Sequence, residues 1–164
     1  MLPSERREFV RAHRTAVFGF NRRHDGPAMS IVYYVTDGDD LLVSTMAERA
    51  KAKAVARNGK VSLCILDEQW PPTYLVVYCD AVVETDPEQT VDVMMGIAGV
   101  MAGRPLDESA RPLVAEGARK EGRVVLRCRP YATFATPPRH VHDESDLPTL
   151  THQVSASVAW DALD

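Results

Sequence analysis

The chain has 164 residues, 45% of them hydrophobic and 26% charged, with 11 Pro, 9 Gly and 3 Cys, which fits one globular domain and excludes a disordered, collagen-like or disulfide-scaffold chain. Nineteen Lys and Arg stand against 23 Asp and Glu, and a formal charge of -4 offers no field for binding a phosphate polymer. The apolar runs at residues 61–66 and 74–79 are far shorter than the ~20 residues of a membrane span, and Met1-Leu2-Pro3-Ser4-Glu5-Arg6-Arg7 has no apolar export core, so a cytoplasmic protein is expected.

Residues 4–13 place Phe9, Val10 and His13 at helical spacing behind Ser4, a residue type suited to an N-cap. The period then changes. Residues 15–20 and 28–36 are rich in β-branched and aromatic side chains and flank His24-Asp25-Gly26-Pro27, which predicts a β-hairpin with a tight turn. A second turn at Asp37-Gly38-Asp39-Asp40 leads to a strand over 41–44, so the sheet should open as a meander. Alanines interleaved with basic residues predict a helix over 47–57, ended by Asn58-Gly59.

Strands over 60–67 and 74–84 follow, joined by a loop containing Trp70-Pro71-Pro72. Asp86-Pro87 announces a helix that carries Val91, Met94, Met95, Ala98 and Met101 and stops at Gly103-Arg104-Pro105. Its methionines read as packing against the sheet rather than as a binding face. Another helix is predicted over 108–119 and a closing strand over 123–134, with Arg119, Lys120 and Arg123 among acids as a solvated surface. The sum is a mainly β fold with peripheral helices: a six- to seven-stranded antiparallel barrel over residues 1–135. Residues 136–164 form an extension expected to pack on the barrel or on a partner subunit.

Cys64, Cys79 and Cys128 lie in apolar runs with no CxxC pair and read as buried free thiols. His140, His142, Asp143 and His152 sit in a Pro-rich stretch without periodicity and read as a polar loop rather than a metal site. His13 and His24 read as structural.

The informative stretch is Ser44-Thr45-Met46-Ala47-Glu48-Arg49-Ala50-Lys51-Ala52-Lys53. Only four lysines occur in the chain, and two of them stand here beside Arg49. Cations at a helix start oppose the macrodipole, a cost that is relieved if the same free N–H groups receive an anion. Ser44 and Thr45 would add hydroxyl donors. A phosphate could sit on this turn. Equally, Thr45-x-x-Glu48 could be a capping box on a solvated helix, and spacing alone leaves both readings open.

The order of motifs carries more than each string. Val32-Tyr33-Tyr34-Val35-Thr36-Asp37-Gly38-Asp39, Leu42-Val43-Ser44-Thr45, Arg49-Ala50-Lys51-Ala52-Lys53, Val61-Ser62-Leu63 with Asp67-Glu68, and Trp70-Pro71-Pro72-Thr73-Tyr74 follow one another at set distances. In this the chain resembles the flavin and deazaflavin oxidoreductases with the pyridoxamine 5'-phosphate oxidase-like split β-barrel, and it looks most like the branch that binds coenzyme F420. The resemblance implies a homodimer with two cofactor sites in clefts at the subunit interface. By motif position Ser44, Thr45, Arg49, Lys51 and Lys53 would hold the cofactor phosphate. Ser30, Ile31 and Val32 would line the tricyclic ring, and Trp70, Pro71, Pro72 and Tyr74 would approach the site from a loop, unless they form only a stiff apolar hairpin cover. Ala54 and Tyr33 stand where the family often has Asn and Trp.

No GxSxG elbow, Cys/His arrangement or HExxH motif is present, which suits chemistry carried by a cofactor. Tyr33, Tyr34 or Tyr74 could relay a proton, as could water, and no residue is assigned as catalytic. Three functions compete: an F420-dependent reductase of a conjugated or heterocyclic small molecule, an FMN-dependent oxidase or reductase, and a non-enzymatic flavin or tetrapyrrole carrier.

Overall fold

The computed structural model describes residues 1–69, 73–135 and 156–164. In chain order they form α1 (Pro3–Ala12), β1 (Thr15–Phe20), β2 (Ala28–Tyr33), β3 (Val35–Asp37), β4 (Asp40–Met46), α2 (Ala50–Asn58), β5 (Lys60–Asp67) and β6 (Thr73–Glu84). Then come α3 (Pro87–Ala102), a 3-10 turn (Glu108–Ala110), α4 (Arg111–Glu121), β7 (Arg123–Phe134) and β8 (Val158–Ala159). Seven strands run in the order β2-β1-β5-β6-β7-β4-β3, with β8 added to β7, and every pairing is antiparallel. The expected antiparallel split barrel with peripheral helices is the fold found.

The opening is not a meander. The extended segment expected over 28–36 breaks at Tyr34: β2 pairs with β1 at one end of the sheet, whereas β3 pairs with β4 at the other. Tyr34 bridges the two ends with a side chain only 2% exposed, and its hydroxyl donates to the Val10 carbonyl at 2.6 Å. Burial raises the phenol's pKa, which suits a group that keeps its proton and anchors α1. Tyr34 is therefore structural and offers no relay to solvent. The first hairpin is also looser than a two-residue Asp-Gly turn, because the last paired residues are Phe20 and Ala28.

The barrel interior follows from strand alternation. Along β5 the residues Val61, Leu63 and Ile65 point inward and along β6 Leu75, Val77 and Cys79, where they meet Phe18, Leu41, Val43 and Leu126 in one buried cluster. Cys128 joins that cluster, where burial pushes its thiol up to about 12, and Cys79 is raised for the same reason; Cys64 is half-buried. Outside the barrel, Arg127 on β7 binds Asp37 at 2.9 Å, Asp40 at 3.0 Å and Glu84 at 2.8 Å, clamping the β3–β4 turn onto the neighbouring strands.

Among the described α-helices the N-cap side chain caps the N-terminus in α3 alone. Asp86 accepts from the Gln89 N–H at 2.7 Å with Pro87 at the first position, as expected. Ser4 is not the cap of α1, because Pro3 already starts that helix; Ser4 instead donates its N–H at 2.8 Å, and its hydroxyl, to the Asp164 carboxylate. That bond belongs to a second attachment. Residues 158–159 pair with Thr133 and Ala132, Trp160 is 9% exposed among the core side chains, and Arg7 donates to the carbonyls of Trp160 and Ala162 at 2.9 and 3.1 Å.

The join between α2 and β5 is tight. Gly59 takes φ +68° with its N–H on Val55 O at 2.8 Å, while its own carbonyl accepts from Ala81 at 2.6 Å. A Cβ there would meet the Ala81 oxygen at 3.0 Å. Gly59→Ala should destabilise the protein by about 1 to 2 kcal/mol, from left-handed backbone cost plus that contact, as read by urea unfolding.

Candidate functional site

The sheet leaves a gap between its two ends, and β2 and β4 form its opposite lips. A cleft of about 530 Å³ opens there, lined by Ser30, Ile31, Val32 and Tyr33 from β2, by Ser44, Thr45 and Met46 from β4, and by Arg49 and Lys51. Arg123 enters from β7, and Met94, Ile97, Ala98 and Met101 form a wall from α3. The cleft thus gathers seven of the residues singled out by sequence: Ser30, Ile31, Val32, Ser44, Thr45, Arg49 and Lys51.

Its charged corner is built by the end of β4 and the start of α2. Arg49 occupies the N-cap position, no side chain caps the helix, and no acidic residue stands in its first turn. The N–H groups of residues 50–52 therefore lack intrahelical acceptors and present the positive end of the dipole. Helix α2 begins later than expected, since Arg49 donates its N–H to Met46 in a turn and Thr45 is a buried β4 residue. A capping box from Thr45 to Glu48 is thereby ruled out: Glu48 pairs with Lys53 at 2.6 Å.

Lys51 is a half-buried cation among other cations. Burial, then Arg49, then Arg123 hold its pKa below the ordinary lysine value of 10.5, and its ammonium lies 5.8 Å from the centre of the Phe18 ring. Among the described residues neither Arg49 nor Lys51 forms an ion pair, whereas Arg123 is paired with Glu121 at 2.6 Å. Nearby, the hydroxyl oxygens of Ser30 and Ser44 are buried without a hydrogen-bond partner among the described residues. Such atoms are costly unless something else completes them. Under-neutralised cations, orphan hydroxyls and free helix N–H groups together fit a phosphate or similar anion.

Lys53 stands apart from this corner. It lines a second groove with Arg22, Arg23 and Arg57, because two residues along a helix turn a side chain by roughly 200°. Lys53, expected to hold the phosphate together with Lys51, is thus not among the residues that line the cleft. Tyr74 lies on β6, opposite Leu66, and does not line the cleft. Trp70, Pro71 and Pro72 lie outside the described residues, as do His140, His142, Asp143 and His152.

Two sets of cleft residues were read differently from sequence. Arg123, taken as solvated surface, faces the cleft because β7 pairs with β4 so that Arg123 sits opposite Met46, a register that no local pattern announces. Met94 and Met101, taken as core, sit on the cleft wall, and Met101 is 60% exposed. Their spacing was visible, but the surface they face was not.

The family model described as pyridoxamine 5'-phosphate oxidase matches residues 2–137. No curated protein matches the sequence. Among solved structures, a conserved hypothetical protein from Mycobacterium tuberculosis superposes with a TM-score of 0.71 at 19% identity, over 88% of this chain and 94% of that one. An F420 reductase superposes with a TM-score of 0.58 at 22% identity, over 73% and 88%. A FAD-binding protein from Mesorhizobium loti gives 0.59 at 15%, over 79% and 90%. At these identities the likeness is one of fold.

The crowding of Lys51 has a measurable cost. Because the folded state releases the Lys51 proton at lower pH than the unfolded chain, the unfolded state holds more protons just below pH 10.5, and stability rises with pH across that window. Lys51→Met should flatten this rise and, at neutral pH, stabilise the ligand-free protein by about 0.5 to 1 kcal/mol, as read by denaturant titration at several pH values.

Proposed function

Since this chain belongs to the pyridoxamine 5'-phosphate oxidase family, whose members are typically flavin-binding oxidoreductases, we propose that it is an F420-dependent oxidoreductase acting on a conjugated or heterocyclic small molecule. The observation that carries the reading is the pairing, in one cleft of about 530 Å³, of a cationic corner with the β2 strand lip. Arg49, Lys51 and Arg123 hold the cofactor phosphate, with Ser44 and Thr45 donating hydroxyl hydrogen bonds. β2 lies at the end of the sheet path, so its outer backbone groups would be available to hydrogen-bond a ring cofactor, and Ser30 would add a hydroxyl. When bound, a reduced deazaflavin would supply hydride chemistry at this site. The apolar side chains of α3 exclude water from that transfer.

Two observations favour F420 over FMN. The described lining contains neither Gln nor His, which an FMN oxidase with a phosphorylated substrate would use, and a fold relative is an F420 reductase. FMN remains the second reading, because a phosphate corner serves its ribityl phosphate as well and another fold relative is described as FAD-binding. A carrier without turnover is a third. We further propose that two copies associate, which would cover Met29 and Ile31, exposed at 72% and 77% on β2.

Side-by-side fluorescence titrations test the cofactor. F420 should bind and FMN should bind more weakly; tight FMN binding without F420 binding overturns the reading. Lys51→Ala should weaken F420 by about 1.5 to 3 kcal/mol, the worth of a charge-assisted hydrogen bond. Lys53→Ala, already paired with Glu48 on an exposed surface, should cost under about 0.5 kcal/mol.

A further inference from the structure

Helix α3 has three faces with three jobs. Val93 packs with Leu42 and Val125 against the sheet, and Val91 and Met95 pack against Ala118 of α4. Gly96 sits close on β3, where a Cβ would meet Val35 Cγ1 at 3.2 Å, so the helix lies against the barrel with little play. The stripe of Met94, Ile97, Ala98 and Met101 stands at the i, i+3, i+4, i+7 spacing of one helix face and all four line the cleft, where Ile97 also packs on the Leu42, Val93 and Val125 cluster and Met94 on the Val91, Met95 and Ala118 cluster.

We propose that this stripe is the substrate-selecting wall of the cleft and that it takes a neutral, apolar, conjugated molecule; the proposal rests on the cofactor reading above. Charge is segregated within the cleft. Its cations, Arg49, Lys51 and Arg123, stand at the end of β4 and the start of α2 and β7, whereas the α3 wall carries no charged or hydrogen-bonding side chain. A charged substrate laid on that wall would lose its hydration and gain no partner. A neutral apolar one loses little and buries Met101, which is 60% exposed. Two thioethers among four side chains also make the wall deformable and polarisable. That favours π-systems and tolerates several shapes over one rigid fit. Ala98, the smallest member, sits mid-stripe and marks where a flat molecule can approach the helix most closely.

The test uses the full chain and 6-propionyl-2-(dimethylamino)naphthalene, a neutral conjugated ketone whose emission shifts to the blue in apolar sites. Ala98→Trp fills the space and Met101→Glu charges the wall. Each should weaken probe binding about tenfold or more while F420 affinity stays within about twofold. Lys51→Ala should do the reverse. Because Ala98 is partly buried, Met101→Glu decides if Ala98→Trp does not fold. Probe affinity within about twofold of wild type in Met101→Glu overturns the proposal. So does sedimentation showing that Met101→Glu splits an oligomer, which would make the stripe a subunit contact. Failure of wild-type protein to bind F420 overturns the cofactor reading instead, and the probe measurements alone then judge the wall.

Discussion

Where β4 gives way to α2, three cations crowd a helix start that already carries partial positive charge, and among the described residues one carboxylate, Glu121, pairs with one of them, Arg123. Burial first, and the like charges of Arg49 and Arg123 second, lower the pKa of Lys51, so its charged form is disfavoured here until a ligand completes the set. The Ser30 and Ser44 hydroxyls, buried without partners among the described residues, add to this cost. Strain of this kind tends to gather at functional sites.

The rest of the architecture holds that corner in place. Gly59 fixes the far end of α2 to β5 and, through Ala81, to β6. Ala47 donates to Gly122 at 2.9 Å, tying the end of β4 to the turn before β7, and this brings Arg123 beside Met46. Tyr34 carries the chain from one end of the sheet to the other, so that β2 and β4 face each other across a gap. The open seam of the barrel is therefore also the cleft, and the α3 stripe forms its third side. A closed barrel of the same strands would leave no such space.

Much of this was legible in the chain because local chemistry decides it. Asp86-Pro87 starts α3, Gly59 and Gly103 end helices in the left-handed region, and the alternation over 123–134 becomes a strand with those same bounds. The crowding of cations at the start of α2 was legible because basic residues there conflict with the dipole. What escaped was non-local. The break at Tyr34 depends on where α1 docks, the placement of Arg123 depends on strand register, and the orientation of the methionine stripe depends on which surface α3 finds to cover. Lys53 leaves the corner for a local reason: two residues along α2 turn it away from Lys51, toward Glu48 and the second groove.

Proton linkage on binding tests the central claim most directly. An anion seated beside Lys51 returns its pKa toward or above the ordinary value, so binding must draw a proton from solution wherever the free protein has partly lost it. Calorimetric titration of F420 at about pH 9.5, in two buffers of different ionisation enthalpy, measures that uptake. The account predicts a fraction of a proton taken up per site in the wild-type protein and none attributable to this residue in Lys51→Met. Binding of equal strength and zero proton uptake in both would contradict it.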